Sequence, residues 1–249
     1  MAGGNGHNKI EISKLSKTFK SQTVLNGLDL AVPKGETLVI LGRSGAGKSV
    51  LLKIMVGIQK PDSGSVRMDN EEITGARLDD LNRIRKKIGF LFQYSALYDS
   101  LTVGENVAFP LKRHTDMPEG EQHERAFELL SSVGVESAID KLPAEISGGM
   151  RKRVALARAL ALDPEILLCD EPTAGLDPIT SGEIDELIRN MQQEQEITSI
   201  VVTHDLQSAR TISTDVALLH DGNILVRGTF DDLLRCGDPF VRRFMEPVI

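Results

Sequence analysis

The sequence predicts an α/β protein built on a doubly wound, mainly parallel sheet. Two continuous apolar runs, EILLCDE at residues 165–171 and TSIVVTHD at residues 198–205, end in polar residues, as strands covered on both faces do. Between these runs, Asp177 can cap and Pro178 can begin a helix with one apolar stripe. Strands and helices that alternate in this way indicate a parallel sheet with helices on both faces.

The first part of the chain adds further strands and a first helix. Three segments rich in β-branched residues, at 9–15, 23–32 and 36–41, are separated by turn-forming residues. The third segment runs through a glycine-rich loop into the helical pattern SVLLKIMVG, which closes near Gly57. GSVRMD and IGFLFQ are also expected to be strands, with a short surface helix, RLDDLNRIRKK, between them.

A mostly helical insertion is predicted at about residues 94–160. The pattern VGENVAF indicates a helix that should stop at Pro110. The remaining residues, at about 9–93 and 161–249, are expected to form the core of a single domain spanning residues 1–249. A second helix of the insertion is indicated by four apolar residues at helical spacing: Ala126, Leu129, Leu130 and Val133.

Composition and charge argue against several classes of protein. The formal net charge of −7, with acidic and basic residues mixed along the chain, argues against a nucleic-acid binder held by phosphate attraction. Cys169 and Cys236 are too few for a disulfide framework and favour a reducing, cytosolic compartment. No apolar run has the length of a signal-peptide core or the ~18 residues needed to span a bilayer. Any role at a membrane is therefore expected to depend on partners.

The stretch GRSGAGKS, residues 42–49, matches the G-x-x-x-x-G-K-S pattern of a phosphate-binding loop. Its glycines allow backbone N–H groups to converge on phosphates, and the helix that follows adds positive potential. Lys48 can reach the β- and γ-phosphates of a nucleotide, and the Ser49 hydroxyl can bind Mg²⁺. The alternative is a flexible loop, but the strand before it and the helix after it favour a phosphate site. The predicted nucleotide-binding residues are Gly42, Arg43, Ser44, Gly45, Ala46, Gly47, Lys48, Ser49 and Val50.

Polar residues follow three other predicted strands. Asp170 can bind Mg²⁺ directly or through water, and Glu171 can polarise an attacking water, although an acidic pair after a strand is often a solvated edge or a helix cap. His204 is a candidate to hydrogen-bond the γ-phosphate, and Gln93 to sense Mg²⁺ or water. A lone histidine is more often structural, and a simple strand-end amide is the alternative for Gln93. Because ligands bind beyond the carboxyl ends of parallel strands, the position of these residues favours a catalytic role.

Phe19 and the stretch SGG at residues 147–149 complete the set of candidates. Phe19 can stack on adenine, a contact worth ~1–3 kcal/mol for a base on an aromatic ring, or it can belong to the core. Ser147, Gly148 and Gly149 are expected to expose N–H groups at the start of a helix, where an anion is favoured. A helical insertion far from the phosphate loop cannot easily fold back onto the same nucleotide. The SGG stretch is therefore expected to reach the nucleotide of a second copy.

In this order, the elements resemble the nucleotide-binding subunit of ABC transporters. GRSGAGKS is similar to the phosphate loop of that family, SGG to its signature, ILLCDE to its Mg²⁺ and catalytic segment, and AGLD around Asp177 to its dimer-contact loop. Gln93 is similar to its Q-loop residue and His204 to its switch histidine. The resemblance implies the P-loop NTPase fold of an ABC ATPase, with an N-terminal antiparallel β subdomain and an inserted helical subdomain.

The resemblance also implies ATP hydrolysis with ATP and Mg²⁺ as cofactors. Two copies would pair head to tail as a homodimer, so that each signature closes over ATP held by the opposite phosphate loop. The implied metal ligands are Ser49, Gln93 and Asp170. The implied catalytic residues are Glu171, His204, Lys48 and Gln93.

A narrower resemblance is to the ATPases of Mce-linked (Mla-type) phospholipid transporters of bacteria. It rests on LFQYSALYDSLTVGENVAFPL, on SGGM, and on DPFVRRF near the C terminus. Met150 stands where many relatives have glutamine, and it lacks the amide that could contact a ribose. This resemblance implies an ATPase at the cytoplasmic face of the inner membrane that powers an integral-membrane permease. Its other implied partners are an Mce-domain substrate-binding protein and a small regulatory subunit.

Other classes of protein are compatible with some of these residues. An ABC ATPase for another cargo, or one without transport such as a cluster-assembly factor, would have the same motifs. Translation factors of this type usually have two cassettes, which 249 residues cannot hold. A small-molecule kinase could use the phosphate loop, but it would need neither the SGG stretch nor His204.

Overall fold

Two β-sheets and the helices around them make up residues 8–246, the part of the chain that the computed structural model describes, without the side chain of Gln195. The ends of the predicted domain, residues 1–7 and 247–249, lie outside the described residues. The elements in chain order are β1 (Asn8–Phe19), β2 (Gln22–Pro33), β3 (Thr37–Leu41), α1 (Lys48–Met55), β4 (Ser63–Met68), β5 (Glu71–Glu72), α2 (Leu78–Arg85), β6 (Ile88–Leu91), α3 (Val103–His114), α4 (Glu119–Ser132), short 3-10 helices at Glu136–Ala138 and Pro143–Glu145, α5 (Gly148–Ala159), β7 (Ile166–Asp170), α6 (Pro178–Gln195), β8 (Thr198–Thr203), α7 (Leu206–Ile212), β9 (Asp215–His220), β10 (Asn223–Gly228), α8 (Phe230–Leu234) and α9 (Pro239–Met245).

The central sheet confirms the predicted α/β class. Its strand order is β10-β9-β3-β8-β7-β6, and all of its strands except β10 are parallel. β3, β7 and β8 are buried along their whole length, which explains why their sequences are continuous apolar runs rather than alternating patterns. Along β3, Leu38 and Ile40 pack into one hydrophobic core, and Val39 and Leu41 pack into a second core on the opposite face.

The implied N-terminal antiparallel sheet is also present. Its strand order is β2-β1-β4-β5, and each of its pairings is antiparallel. Ile10, Leu25 and Val66 of this sheet lie in the same core as Leu38 and Ile40 of the central sheet. The antiparallel sheet therefore covers one face of the parallel sheet together with α1, because Leu51 and Leu52 of α1 occupy the same core.

Helices α3, α4 and α5 lie between β6 and β7 in the chain and pack against the second core. Val107, Leu130 and Leu156, one from each helix, are fully buried there. We propose that residues 94–160 form an inserted helical subdomain within one domain whose core comprises about residues 9–93 and 161–249.

The prediction that the first helix of this insertion stops at Pro110 is wrong. α3 continues to His114, four residues beyond the proline. Proline lacks an N–H group and removes one hydrogen bond from the helix. Val107 is fully buried and Leu111 is 2% exposed, so both sides of the proline are fixed in the core. This packing outweighs the lost hydrogen bond, because tertiary contacts supply most of the stability of a helix.

The remaining helices turn their apolar residues toward the cores. α2 confirms the predicted surface helix and buries Leu81 and Ile84. Asp177 caps α6 by accepting hydrogen bonds from the backbone N–H groups of Ile179 and Thr180, as predicted. Within residues 8–246, no helix combines the length and the apolar character that a membrane span requires.

Candidate functional site

The predicted site residues that follow strands meet at one edge of the central sheet, because β3, β6, β7 and β8 are parallel and their carboxyl ends point the same way. The phosphate loop follows β3, and Gln93 follows β6. Glu171 follows β7, and His204 follows β8. This edge is where parallel α/β sheets bind ligands.

A cavity of about 480 Å³ opens at this edge. The phosphate loop forms one wall, from Ser44 to Val50, and β2 contributes Gln22 and Val24. Gln93 and Glu171 complete the lining. Gly42 and Arg43 do not line this cavity: the backbone at Gly42 packs against the Leu219 carbonyl, and Arg43 borders a neighbouring cavity.

The conformation of the phosphate loop requires glycine at position 47. Gly47 has a φ of +103°, in the left-handed region, and precedes the first residue of α1. A Cβ atom there would lie 2.7 Å from Val24 Cγ1 and 2.9 Å from the Val24 carbonyl oxygen. A side chain at this position would therefore force the loop away from β2 and displace the start of α1, where backbone N–H groups favour an anion.

Lys48 is buried at the centre of the site. Its Nζ donates hydrogen bonds to the carbonyl oxygens of Gly42 at 2.7 Å and Arg43 at 3.2 Å, and it lies 3.3 Å from Glu171 Oε1. The ammonium group is therefore held where an incoming phosphate could replace its present partners.

Ser49 and Asp170 form the oxygen-rich part of the site. The Ser49 hydroxyl donates to Asp170 Oδ1 at 2.8 Å. Burial raises the pKa of the Asp170 carboxyl, and the hydrogen bond from Ser49 lowers it in part. Hydroxyl, carboxylate and amide oxygens are ligands that Mg²⁺ accepts, and the Gln93 side chain lines the same cavity. The donor set therefore fits the predicted metal.

Glu171 has a strained backbone and a tightly bonded side chain. Its φ of +48° lies in the left-handed region, which a glutamate rarely adopts and which is often found at functional sites. Oε2 accepts a hydrogen bond from the Thr203 hydroxyl at 3.2 Å and lies 3.0 Å from His204 Nδ1. The carboxylate is thus joined to the end of β8 as well as to Lys48.

Lys152 is a site residue that the sequence analysis missed. It lies on α5, is 4% exposed, and its Nζ donates to the carbonyl oxygens of both Gln93 and Glu171. Burial lowers the pKa of this ammonium group. The signal in the sequence is a lysine three and four residues before Ala155 and Leu156, which places it on a buried face of α5. A charged residue at such a position needs buried partners.

The SGG stretch lies apart from this cavity. Ser147 caps α5 by accepting a hydrogen bond from the Met150 N–H at 3.2 Å, and Ser147 and Gly148 are exposed. Gly149 is buried, and a Cβ atom there would lie 2.6 Å from Thr180 Cγ2 of α6. The residues that line the phosphate-loop cavity do not include the SGG stretch.

Phe19 ends β1 and is 42% exposed, so the alternative that it belongs to the core is wrong. The Lys17 Nζ lies 5.3 Å from the centre of its ring. The ring is therefore accessible on a strand whose hairpin partner, β2, contributes Gln22 to the cavity.

A glycine loop before a helix, with a lysine, a serine and an acidic strand end beside it, defines a nucleotide-binding site of the P-loop class. The chain belongs to the ABC transporter family, whose model matches residues 25–174. This confirms the predicted family and fold, and the fold is that of an ATP-binding cassette.

Individual relatives and solved structures agree with this assignment. The "Probable ribonucleotide transport ATP-binding protein mkl" of Mycobacterium tuberculosis is 41% identical over 95% of this chain, which spans 66% of that relative's length. The "Intermembrane phospholipid transport system ATP-binding protein MlaF" of Escherichia coli is 36% identical over 97% of this chain and 90% of its own length. Among solved structures, the dimeric post-hydrolysis state of the ATP-binding cassette MJ0796, bound to ADP and Pi, is similar with a TM-score of 0.83 and 36% sequence identity. The aligned region covers 89% of this chain and 98% of the MJ0796 chain.

We expect Lys152→Met to destabilise the protein by about 1–3 kcal/mol, because the carbonyl groups of Gln93 and Glu171 would lose a buried donor. Urea unfolding followed by circular dichroism measures this change. The matched control is Lys112→Met, which removes an exposed ammonium group from α3 and should change stability by less than about 0.5 kcal/mol. Equal stability of the two variants would contradict the bridging role of Lys152.

Proposed function

We propose that two copies of this chain bind ATP and Mg²⁺ between them and hydrolyse the ATP to power a membrane permease that moves lipid. The strongest support is the meeting of two bonded pairs at one edge of the sheet: Lys48 lies 3.3 Å from Glu171, and the Ser49 hydroxyl donates to Asp170 at 2.8 Å. Phosphoryl transfer depends mainly on positioning and electrostatic stabilisation, and this cluster supplies groups for both.

Each side chain of the cluster has a separate task in this proposal. Lys48 would exchange the Glu171 carboxylate and the loop carbonyls for the β- and γ-phosphates. Glu171, released from Lys48, would orient the attacking water and accept its proton. His204 would turn from Glu171 toward the transferred phosphoryl group. Ser49, Asp170 and Gln93 would hold Mg²⁺, which neutralises charge on the phosphates.

The second copy would supply the SGG stretch. Ser147 and Gly148 are exposed at the start of α5, where backbone N–H groups favour an anion, yet they are absent from the lining of this chain's own cavity. A partner bound head to tail would bring its SGG stretch over the phosphate loop. The similarity to the dimeric MJ0796 cassette, which is bound to ADP and Pi, supports the pairing of two copies.

A groove between β6 and the helical insertion suits the permease. It has a volume of about 400 Å³ and is lined by aromatic residues that include Phe92, Tyr98 and Phe109. The Tyr98 and Phe109 rings lie 4.7 Å apart, and Tyr98 is 47% exposed. The groove combines these rings with the basic side chains of Arg85, Lys86 and Arg158, and aromatic and arginine side chains are enriched at protein interfaces. We propose that cytoplasmic loops of the permease bind here, which would hold the chain at the cytoplasmic face of the inner membrane.

The proposed cargo follows from the relatives. MlaF carries phospholipid transport in its name, and this chain spans 90% of its length. An Mce-domain substrate-binding protein and a small regulatory subunit would then be the remaining partners. The mycobacterial relative is instead named for ribonucleotide transport, so a transport assay has to compare both classes of cargo.

Glu171→Gln should retain ATP binding but lower ATP turnover by about 10²- to 10⁴-fold, because the amide cannot accept the proton of the attacking water. Phosphate release and fluorescent ATP binding measure the two properties. Glu124→Gln, which changes an exposed carboxylate on α4, serves as the matched control and should leave both unchanged. Wild-type turnover by Glu171→Gln would show that another group is the base.

Mixing two inactive variants tests whether the site is shared. Ser147→Arg should block the surface that closes over the partner's ATP, and Lys48→Ala should lose ATP binding, so each should be inactive alone. A mixed dimer contains one complete site, formed by the phosphate loop of one variant and the SGG stretch of the other. We therefore expect mixing to restore phosphate release. The control for introducing an arginine is Ser131→Arg, which places it on the exposed face of α4. Loss of ATP binding by Ser147→Arg would instead indicate that SGG belongs to its own chain's site.

Tyr98→Glu should abolish co-purification with a polytopic permease from membranes, because the aromatic ring that packs against Phe109 would be lost and a negative charge would enter the groove. Turnover by the isolated dimer should remain, since Tyr98 does not line the phosphate-loop cavity. Phe127→Glu places the same charge at an exposed aromatic residue outside the groove and should leave co-purification intact. Recovery of the Tyr98→Glu chain with the permease would rule out this groove as the binding surface.

A further inference from the structure

The groove between β6 and the helical insertion is positively charged, although the chain as a whole is negative. Its lining contains no acidic residue and four basic ones, which are Arg85, Lys86, His114 and Arg158. The formal net charge of the chain is −7. The groove is therefore a local surface whose charge is opposite in sign to that of the whole protein.

The cations of the groove have neutral oxygen atoms as their hydrogen-bond partners. Lys86 donates to the His114 carbonyl oxygen at 3.3 Å, and Arg85 donates to the Val56 carbonyl oxygen at 2.9 Å. Within residues 8–246, neither side chain forms an ion pair with a carboxylate, and the same holds for Arg158. Their positive charge is therefore not balanced by this chain.

Three acidic residues adjoin lining residues in the sequence, yet none of them lines the groove. The Asp163 carboxylate accepts a hydrogen bond from Arg125 at 2.6 Å. Glu165 is paired with Lys9. Asp99 is exposed and lies outside the lining. The charge of the groove is thus left for a group from another molecule.

Aromatic rings form much of the remaining surface of the groove. Besides Tyr98 and Phe109, whose rings lie 4.7 Å apart, Phe90 and Phe92 line it. A small inorganic anion would leave these rings uncovered. A peptide segment with one apolar face and carboxylates beside that face satisfies both the rings and the cations, in the way that amphipathic segments bind in grooves.

Arg158 connects the groove to the phosphate-loop cavity. Its guanidinium group donates to the carbonyl oxygens of Ser95 at 2.6 Å and Ala96 at 2.7 Å. Both residues have a positive φ, +62° and +49°, which is uncommon for residues other than glycine. They follow Gln93, which lines the phosphate-loop cavity. A carboxylate bound at Arg158 would therefore act on the segment that contains Gln93.

We propose that the groove binds an acidic segment of the permease, whose apolar side chains cover the aromatic rings and whose carboxylates pair with Lys86 and Arg158. Lys86 then determines which segments are accepted, because it is the exposed cation at the groove. The inference rests on the proposed function, since it defines the chemistry of the permease segment that this function requires.

Three synthetic peptides of about 16 residues test the preference for carboxylates. They share one face of leucine residues, and the same few positions on the opposite face are glutamate, glutamine or lysine. In about 50 mM salt we expect the glutamate peptide to bind about tenfold more tightly than the glutamine peptide, with a smaller difference in about 500 mM salt, because salt screens exposed ion pairs. Fluorescence anisotropy of labelled peptides measures the affinities. Because the chain has a net charge of −7, general attraction would favour the lysine peptide instead. Equal binding of the three peptides, or tightest binding of the lysine peptide, would overturn the inference.

Lys86→Glu tests whether the groove is the surface that recognises the peptide. Lys86 is exposed, so the fold should remain intact. The glutamate peptide should lose at least about tenfold in affinity, and the lysine peptide should become the tightest binder. Lys141→Glu, the matched control, makes the same charge change at an exposed residue of the helical insertion outside the groove and should keep the wild-type preference. An unchanged preference in Lys86→Glu would overturn the inference.

The permease itself supplies the second measurement. Lys86→Glu should lose co-purification with the permease from membranes. Changing one carboxylate of the permease's cytoplasmic loops to lysine should restore it, because the ion pair forms again with the charges exchanged. Failure of every such carboxylate change to restore co-purification would overturn the inference.

Vesicles of phosphatidylglycerol distinguish an acidic peptide segment from anionic lipid headgroups. Wild-type binding to these vesicles that Lys86→Glu abolishes, without any preference among the peptides, would overturn the inference in favour of lipid. If the wild-type chain co-purified with no permease, the proposed function would fail and this inference with it. Co-purification that Lys86→Glu leaves unchanged would refute the acidic segment alone and leave the proposed function in place.

Discussion

The ion pair between Lys48 and Glu171 is the interaction on which the arrangement of the site depends. Its two atoms lie 3.3 Å apart, and both side chains are almost fully removed from solvent. Buried charges are costly without partners, so neither residue could keep its position alone. The pair spans two strands that are not neighbours, because β8 lies between β3 and β7. The end of β8 then supplies Thr203 and His204, which bind the other oxygen of Glu171.

Helix α5 connects the distant parts of this arrangement. It begins at the exposed Ser147 and places Lys152 against the Gln93 and Glu171 carbonyls. One and a half turns further on, Arg158 donates to the carbonyl oxygens of Ser95 and Ala96 in the segment after Gln93. A shift of α5 would therefore move the proposed partner-facing surface, the segment around Gln93 and the support of Glu171 together. This gives the proposed coupling between nucleotide and permease a physical basis in one rigid element.

Two layers of hydrogen bonds connect the loops that follow β7 and β8. The upper layer contains Glu171, Thr203 and His204, and Glu171 lines the phosphate-loop cavity. The lower layer is the contact between the Thr173 and Ser208 hydroxyl groups, both of which are buried. The strained backbone of Glu171 is maintained because both layers hold the surrounding chain. Such a site favours a fixed geometry at the expense of stability.

The sequence by itself determined the fold class, the phosphate loop and the positions of Asp170, Glu171, Gln93 and His204. It could do so because strands buried on both faces leave continuous apolar runs, and because parallel strands bring their carboxyl ends to one edge. Their roles in hydrolysis remain predictions.

Only the tertiary structure decided which buried polar groups meet. Lys152 lies on a helix whose pattern is ordinary, and its partners Gln93 and Glu171 are distant in sequence, so the spacing of residues could not predict these contacts. The same reason explains Pro110, because a local rule ends the helix there while burial of Val107 and Leu111 continues it. Local preferences for helix, strand or turn can be derived from short stretches of sequence, whereas the balance between a buried charge and its partners is set only when distant segments pack together.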